Sequence, residues 1–410
     1  MNRSFFAKNP SVLVFLALLG LFTVLVSVLS EAYGPGVIST SFVKTLGKTL
    51  CLCLVAIAMD LVWGYCGILS LGHFAFFGLG GYMIGMWLMY ARTEIIVAES
   101  MANATIPPTP QEIIDGIGTQ IFGVVGSSEF PLIWSFADSL VLQLILVVAV
   151  PGLLALVFGW LAFRSRVTGV YLSILTQAMT LALSLYLFQN ESGLRGNNGL
   201  SGLQNLPGAD GISQDYISVW FFWASALALA LAYILSAWVV SGKFGSVIRG
   251  IRDDEARVRF LGYSVEAYKL FIFTLTAVMA GIAGALYYPQ AGIINPGEVA
   301  PIASIYLAVW VAIGGRGRLY GAVIGAAAVS LLSTWFTGGQ VPSIPLGFFT
   351  IDWVDWWQVL LGLSFVLVTL LAPKGIGGLV DLITGSLAPD RHGADLGPDQ
   401  GSLQEEEATK

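Results

Sequence analysis

Ten apolar runs fill most of this chain, at about 11–30, 44–63, 74–90, 139–163, 168–188, 216–240, 268–288, 301–314, 319–336 and 353–372. A helix of roughly 20 apolar residues crosses a bilayer, and in lipid every backbone polar group must be satisfied internally. Runs of this length and number therefore admit one architecture, an all-α polytopic helical bundle of about ten transmembrane segments. Composition excludes the alternative of a soluble globule. Of the 410 residues 56% are hydrophobic and 11% charged, and the mean hydropathy is +0.80. The first run follows Arg3 and Lys8 as a secretory leader would, but it is long enough to span and no small-residue cleavage site follows. It reads as a retained first span.

Arg and Lys set the orientation, because cytoplasmic loops carry the excess of basic residues. With the N-terminus inside and ten crossings, 15 of the 19 basic residues fall on the inner side. Only Lys44, Lys48, Arg92 and Arg195 fall outside. Both termini are then cytoplasmic. The connections 91–138 and 189–215 are external, and residues 1–384 form one membrane domain. The Gly-, Pro- and acid-rich stretch 385–410 reads as a disordered tail.

One island interrupts the apolar pattern. FGSVIRGIRDDEARVRFLGY, residues 244–263, holds Arg249, Arg252, Asp253, Asp254, Glu255, Arg257 and Arg259 ahead of Gly262. Ile248, Ile251, Val258 and Leu261 recur at helical spacing, which predicts a short amphipathic helix on the cytoplasmic side. Asp253 and Arg257 are spaced to pair along it. A docking surface for a soluble partner is the functional reading of this island, and a solvated topology loop is the plain one.

No enzyme motif survives inspection. There is no phosphate-cradling loop, no HExxH and no GxSxG. The run Gly314-Gly-Arg-Gly-Arg318 lacks the strand and the Lys-Ser/Thr of a nucleotide loop, and reads as a tight turn. The three cysteines, Cys51, Cys53 and Cys66, have no metal or disulfide spacing and read as small buried side chains. No catalytic residue, metal or cofactor is expected.

Two stretches read as broken helices: the glycine-rich segment from Gly64 to Gly78, and 289–301 with Pro289, Gly292, Asn295, Pro296, Gly297 and Pro301. They enter from opposite sides, the pattern an inverted repeat gives, and unwound backbone at a break can line a polar path. Ser70, His73, Thr176, Gln177, Asn295 and Asp60 are the candidates for that path. Each has a plainer reading. His73, at the cytoplasmic end of the third span, suits a packed interfacial histidine. Asp60, near the end of its span, suits snorkelling or a helix-end hydrogen bond. Thr176, Gln177 and Thr180 suit interhelical hydrogen bonding. Gly81-x-x-x-Gly85, Gly321-x-x-x-Gly325 and Gly281-Ile-Ala-Gly284 place small residues on one face, where helices in lipid approach closely.

Several long motifs resemble a known family. GWLAFRSRVTGVYLSILTQAM (159–179), ESGLRGNNGLSGL (191–203), VWGYCGILSLGHFAFFGLGGYMIGM (62–86), AVWVAIGGRGRLYGAVIGA (308–326) and LLAPKGIGGL (370–379) are similar to the branched-chain amino-acid ABC permeases, and most to their urea-transporting branch. The charged stretch and the 289–301 break match as well, so the resemblance covers about 44–380. It implies a subunit of an ATP-driven importer in the bacterial inner membrane, surrounded by membrane lipid. A second homologous permease subunit, two ATP-binding cassette ATPase subunits and a periplasmic solute-binding protein would complete it, with no nucleic acid among the partners. Urea would be the substrate, and residues 243–263 would hold the coupling helix. The same machine carrying branched-chain or other small amino acids is the alternative. A stand-alone urea channel or secondary transporter is the competing class, though a proton-coupled carrier usually shows more titratable groups in its spans than Asp60.

Overall fold

A computed structural model describes residues 9–102, 115–116, 118–119, 132–209, 211–338, 341–342, 344–345, 350–371 and 375–378. The 385–410 tail, and 103–114 and 120–131 of the first external connection, lie outside the described residues. The described residues are almost wholly helical. Eight helices are long and apolar enough to span: α1 (Pro10–Leu29), α2 (Thr40–Asp60, continued by a π-helical turn Leu61–Tyr65), α3 (His73–Ala102), α4 (Leu140–Arg164), α5 (Val170–Phe188), α6 (Gln214–Ser241), α9 (Val265–Ala291) and α11 (Leu319–Thr337). Two shorter apolar helices, α10 (Pro301–Gly314) and α12 (Trp353–Leu371), complete the ten runs read from sequence. The chain is an all-α, multi-pass integral membrane protein.

Serine punctuates the starts. Ser39, Ser139 and Ser213 each accept a hydrogen bond from a first-turn N–H of α2, α4 and α6. The core sits around α2, buried almost continuously from Thr49 to Val62 and packed on α6, α9 and α11. Outward faces of α1, α4 and α5 expose residues such as Leu18, Leu21, Leu153, Leu161, Val170 and Leu185. That much contiguous apolar surface belongs against lipid or another apolar surface.

The Gly281/Gly284 and Gly321/Gly325 faces lie at close helix crossings as read, whereas Gly81 faces the Tyr288 ring and Gly85 meets only the Leu200, Leu203 and Ile294 side chains. A Cβ on Gly80 would collide with the Gly281 backbone, and one on Gly284 with the Phe77 carbonyl, so α3 and α9 cross with their backbones in contact. Gly314, Gly321 and Gly325 do the same for α10 and α11.

The order of packing recurs within the molecule. Helix α2 packs on α11 as α9 packs on α4, and α3 packs on α4 as α10 packs on α11. Each unit runs helix, unwound segment, helix, helix. The lower end of α2 and the start of α9 lie at the same face, so the two units are inverted.

Two short amphipathic helices, α7 (Lys243–Asp253) and α8 (Glu255–Phe260), carry the charged island at that face. This corrects the single helix expected. Asp254 breaks the run with extended backbone, and its side chain instead caps α8 by accepting from Arg257 N at 3.0 Å. Helix α3 likewise runs on to Ala102, where sequence placed the start of an irregular external connection at 91.

Candidate functional site

The two interruptions read from sequence are present, and the fold brings them together. The first is residues 66–72, between the π turn that ends α2 and the start of α3. The second is 292–300, between α9 and α10, with a 3-10 turn at Pro296–Val299. Their junction is direct: Phe74 N, in the first turn of α3, donates to Ser304 Oγ in the first turn of α10 at 3.1 Å. Two helix N-termini, each with a positive dipole end, thus converge inside the bundle.

His73 belongs to this junction. Its ring nitrogens lie 3.2 Å from Ser70 Oγ and from Thr276 Oγ1, and it is fully buried. Thr276 lies 11 residues into α9, about 17 Å along it at 1.5 Å per residue. This corrects its expected place at the cytoplasmic end of a span. Residues 66–72 climb into the bundle as non-helical backbone, so helix α3 begins deep rather than at the surface.

Helix α5 stitches both interruptions. Ser173, Thr176, Thr180 and Ser184 are four of its six buried residues. They recur every three or four positions and so share one face. Ser173 Oγ donates to Leu69 O at 2.7 Å, and Thr176 Oγ1 accepts from Leu71 N at 3.0 Å. Ser184 Oγ donates to Pro296 O at 3.3 Å. Unwound backbone in a dry bundle needs such partners. Of the sequence candidates here, Thr176 and Ser70 touch the first interruption. Gln177 is half-buried, off the buried hydroxyl face of α5. Asn295 caps the 3-10 turn, its Oδ1 accepting from Gly297 N at 2.9 Å.

Residues 189–209 fold against the second interruption. Leu200–Ser201 pairs antiparallel with Ile293–Ile294, and Leu203 N donates to Gly292 O at 3.0 Å. Gly199 sits at φ +62° against Ile294 O, where a side chain would be strained and would collide. Fully buried Trp134 donates to Gly193 O at 2.7 Å, tying the end of the first external connection to this segment.

Beside the second interruption lies a polar group that sequence reading missed. Glu298, half-buried, is within electrostatic reach of Lys48 on α2. The buried Tyr82 and Tyr288 hydroxyls border it, Tyr288 close enough to interact with its carboxylate, and among the described residues the Tyr82 hydroxyl has no hydrogen-bond partner. Buried donors and acceptors left open cost free energy unless something else fills them. Sequence reading takes Lys48 as an external topology charge and Glu298 as part of the 289–301 break.

At the charged face the island is largely self-paired. Arg259 binds Glu255 at 3.0 Å and Glu266 at 2.5 Å, and Lys269 binds Glu255 at 2.5 Å. These partners hold the Arg259 guanidinium above its ordinary pKa. Arg257 lies 3.7 Å from Asp254 rather than pairing with Asp253, which instead binds Arg252 at 3.0 Å. Arg249 donates to Val240 O at the end of α6. Ile248, Ile251 and Val258 face inward as expected. Leu261 does not: it is 72% exposed, with Phe260 at 93%, because Gly262 at φ +87° turns the chain there. The outward tip is therefore apolar, flanked by the freely exposed Arg257.

Asp60 is fully buried and does not snorkel. Its Oδ1 accepts from Gly317 N at 2.7 Å, in the turn between α10 and α11. Arg252 Nη1 donates to Gly64 O at 2.8 Å. Arg316 lies 4.9 Å over the Trp63 ring. Burial lowers the pKa of Arg316, with nearby Arg252 pushing the same way and Asp60 opposing.

A family model described as the branched-chain amino acid transport system, permease component, matches residues 41–369. The high-affinity branched-chain amino acid transport system permease protein LivM of Escherichia coli (strain K12) is 23% identical over 332 residues. That match covers 75% of this chain and 66% of LivM, just under two thirds of its length. LivM of Salmonella typhimurium is 23% identical over 380 residues, 87% of this chain and 74% of the relative. The autoinducer 2 import system permease protein LsrC of Yersinia pseudotuberculosis is 32% identical over 108 residues, 25% of this chain and 30% of LsrC. No solved structure matches the chain.

Proposed function

This chain belongs to the family of branched-chain amino acid transport system permease components, and from that premise we propose that it is a membrane-embedded subunit of an ATP-driven importer of a small nitrogenous solute. The observation that carries this reading is the convergence of two inverted, unwound segments on a hydroxyl-lined helix inside the bundle. Interrupted helices meeting at mid-depth are where transporters place a polar path. Nothing in the site suggests covalent chemistry, and ATP hydrolysis falls to partner subunits. The partners are a second homologous permease, two ATPase subunits beneath α7–α8 and a periplasmic solute-binding protein above residues 189–209. The excess of basic residues on that side supports a cytoplasmic position for α7–α8 and both termini, with the chain in a bacterial inner membrane.

Urea is the solute we assign first, on the resemblance of 159–179 and 191–203 to the urea-transporting branch. The Ser70 and Thr176 hydroxyls, buried at the first interruption, suit a neutral solute that both donates and accepts hydrogen bonds. A second reading has its own observation. Lys48 and Glu298, of opposite charge beside the second interruption, would suit the two ends of an amino acid. Uptake of labelled urea and labelled leucine separates the readings, in a host lacking its own systems and expressing this chain with its neighbouring transport genes. ATP-dependent urea uptake that leucine does not compete supports urea. Leucine uptake keeps the machine and changes its cargo.

A further inference from the structure

Three segments distant in sequence meet at the lower end of α2. The α-helix ends at Asp60 and widens into the π turn Leu61–Tyr65, a distortion that recurs at functional sites. Gly64 is enclosed: a Cβ there would collide with Asp60 Oδ1 and Gly317 N. Gly67, at φ +80°, lies against the Arg252 backbone and side chain, and a Cβ there would come within 2.9 Å of Arg252 Cγ. Among the described residues, Asp60 takes one hydrogen bond, from Gly317 N, and its buried Oδ2 has no partner. The guanidinium of Arg252, only 23% exposed, crosses from α7 to the Gly64 carbonyl. Arg316 and Arg252 are the charged groups facing Asp60.

Those contacts join α7 to both interruptions at once. The first interruption begins two residues beyond Gly64. The turn holding Gly317 leads directly into α10, whose other end is the second interruption. We infer that Asp60, Arg252 and the Gly317 amide form a relay joint that passes displacement of α7–α8 to both unwound segments, with Asp60 as its positioning residue. This rests on the reading of α7–α8 as the ATPase-facing helices. The joint is suited to transmission because it is polar and directional. A few hydrogen bonds hold three backbones in register, where an apolar contact would let them slide. Removing one partner of a hydrogen bond to a charged group breaks the register while leaving the surrounding helices packed.

The test uses the whole complex in vesicles: this chain, its partner permease, the ATPases and the binding protein, with whichever of labelled urea and labelled leucine the unaltered complex imports. ATP hydrolysis and solute uptake are measured on the same vesicles for Asp60→Ala, Asp60→Asn, Arg252→Ala and Arg252→Lys. Expected is a drop of about tenfold or more in solute moved per ATP for the two alanine variants, the factor a lost charged hydrogen bond supplies, with hydrolysis within about twofold of normal. Asp60→Asn keeps an oxygen for the Gly317 amide, and retains more coupling than Asp60→Ala. Uptake and hydrolysis falling in parallel, or Asp60→Asn and Asp60→Ala behaving alike, would overturn the inference in favour of a merely structural role. If Asp60→Ala fails to assemble, Arg252→Ala decides, and its failure to assemble overturns the joint as well. Absence of ATP-driven uptake in the unaltered complex would instead defeat the importer reading itself.

Discussion

At the scale of single residues, the hydroxyls of α5 do the most for the least bulk. Thr176 supplies the partner for Leu71 N, a backbone donor that no helix satisfies. Thr176→Val keeps the shape and removes the acceptor, so it costs the desolvation of a buried N–H, about 1–3 kcal/mol. It is expected to lower the thermal midpoint of the purified protein and to loosen residues 69–71, seen as faster amide exchange there. Gly284 shows the opposite sensitivity, to added bulk. Gly284→Ala presses a methyl against the Phe77 carbonyl and forces α3 from α9, an overpacking cost of about 1–3 kcal/mol or more. An unchanged midpoint would contradict the close crossing. Part of this was legible in the sequence: Thr176 and Thr180 were read as hydrogen-bonding residues of the fifth span and the small-residue faces were read directly, but Ser173 and Ser184 on the same face were missed and Gln177 lies off it. Asp60, Lys48 and Glu298 were not legible in the same way. A lone charge near a span end says nothing about what folds over it, and their neighbours come from other elements, among them α7, α9 and the α10–α11 turn.

At the scale of elements, the helix pair α7–α8 shows how a composition signal misleads in detail. The density of charge rightly marked the segment, but most of that charge is spent within it and on α9. Lys269 is nearly buried and has Glu255 as its ion-pair partner. Glu255→Gln should therefore detach α8 from α9, weakening it by about 1–3 kcal/mol. Limited proteolysis near 255–263 would report this as faster cutting. What the pair offers outward is Phe260 and Leu261. Burying two such side chains in a partner contributes roughly 1.5–3 kcal/mol each. Phe260→Ala with Leu261→Ala is then expected to weaken ATPase association by at least an order of magnitude, measured by co-purification over a concentration series. Arg257→Ala, at the exposed rim, should do much less. The break at Asp254 was hidden from periodicity, because apolar spacing continues across it while the backbone does not.

For the molecule as a whole, two inverted units share one core around α2 and α9, and their interruptions meet where α3 and α10 begin. The ten apolar runs and the two glycine-proline breaks were enough to foresee that plan. Depth was not foreseen: His73 sits inside the bundle because residues 66–72 cross part of it without a helix, which no hydropathy window registers. We propose that the path through these interruptions opens only when α7–α8 are driven by ATP hydrolysis beneath them. The most direct measurement is solute flux into vesicles holding this chain alone, or with its full set of partners, with and without ATP. Flux is expected only in the complete complex with ATP, and is expected to be lost when Phe260 and Leu261 are replaced. Urea flux through this chain alone, indifferent to ATP, would contradict it and make the protein a channel.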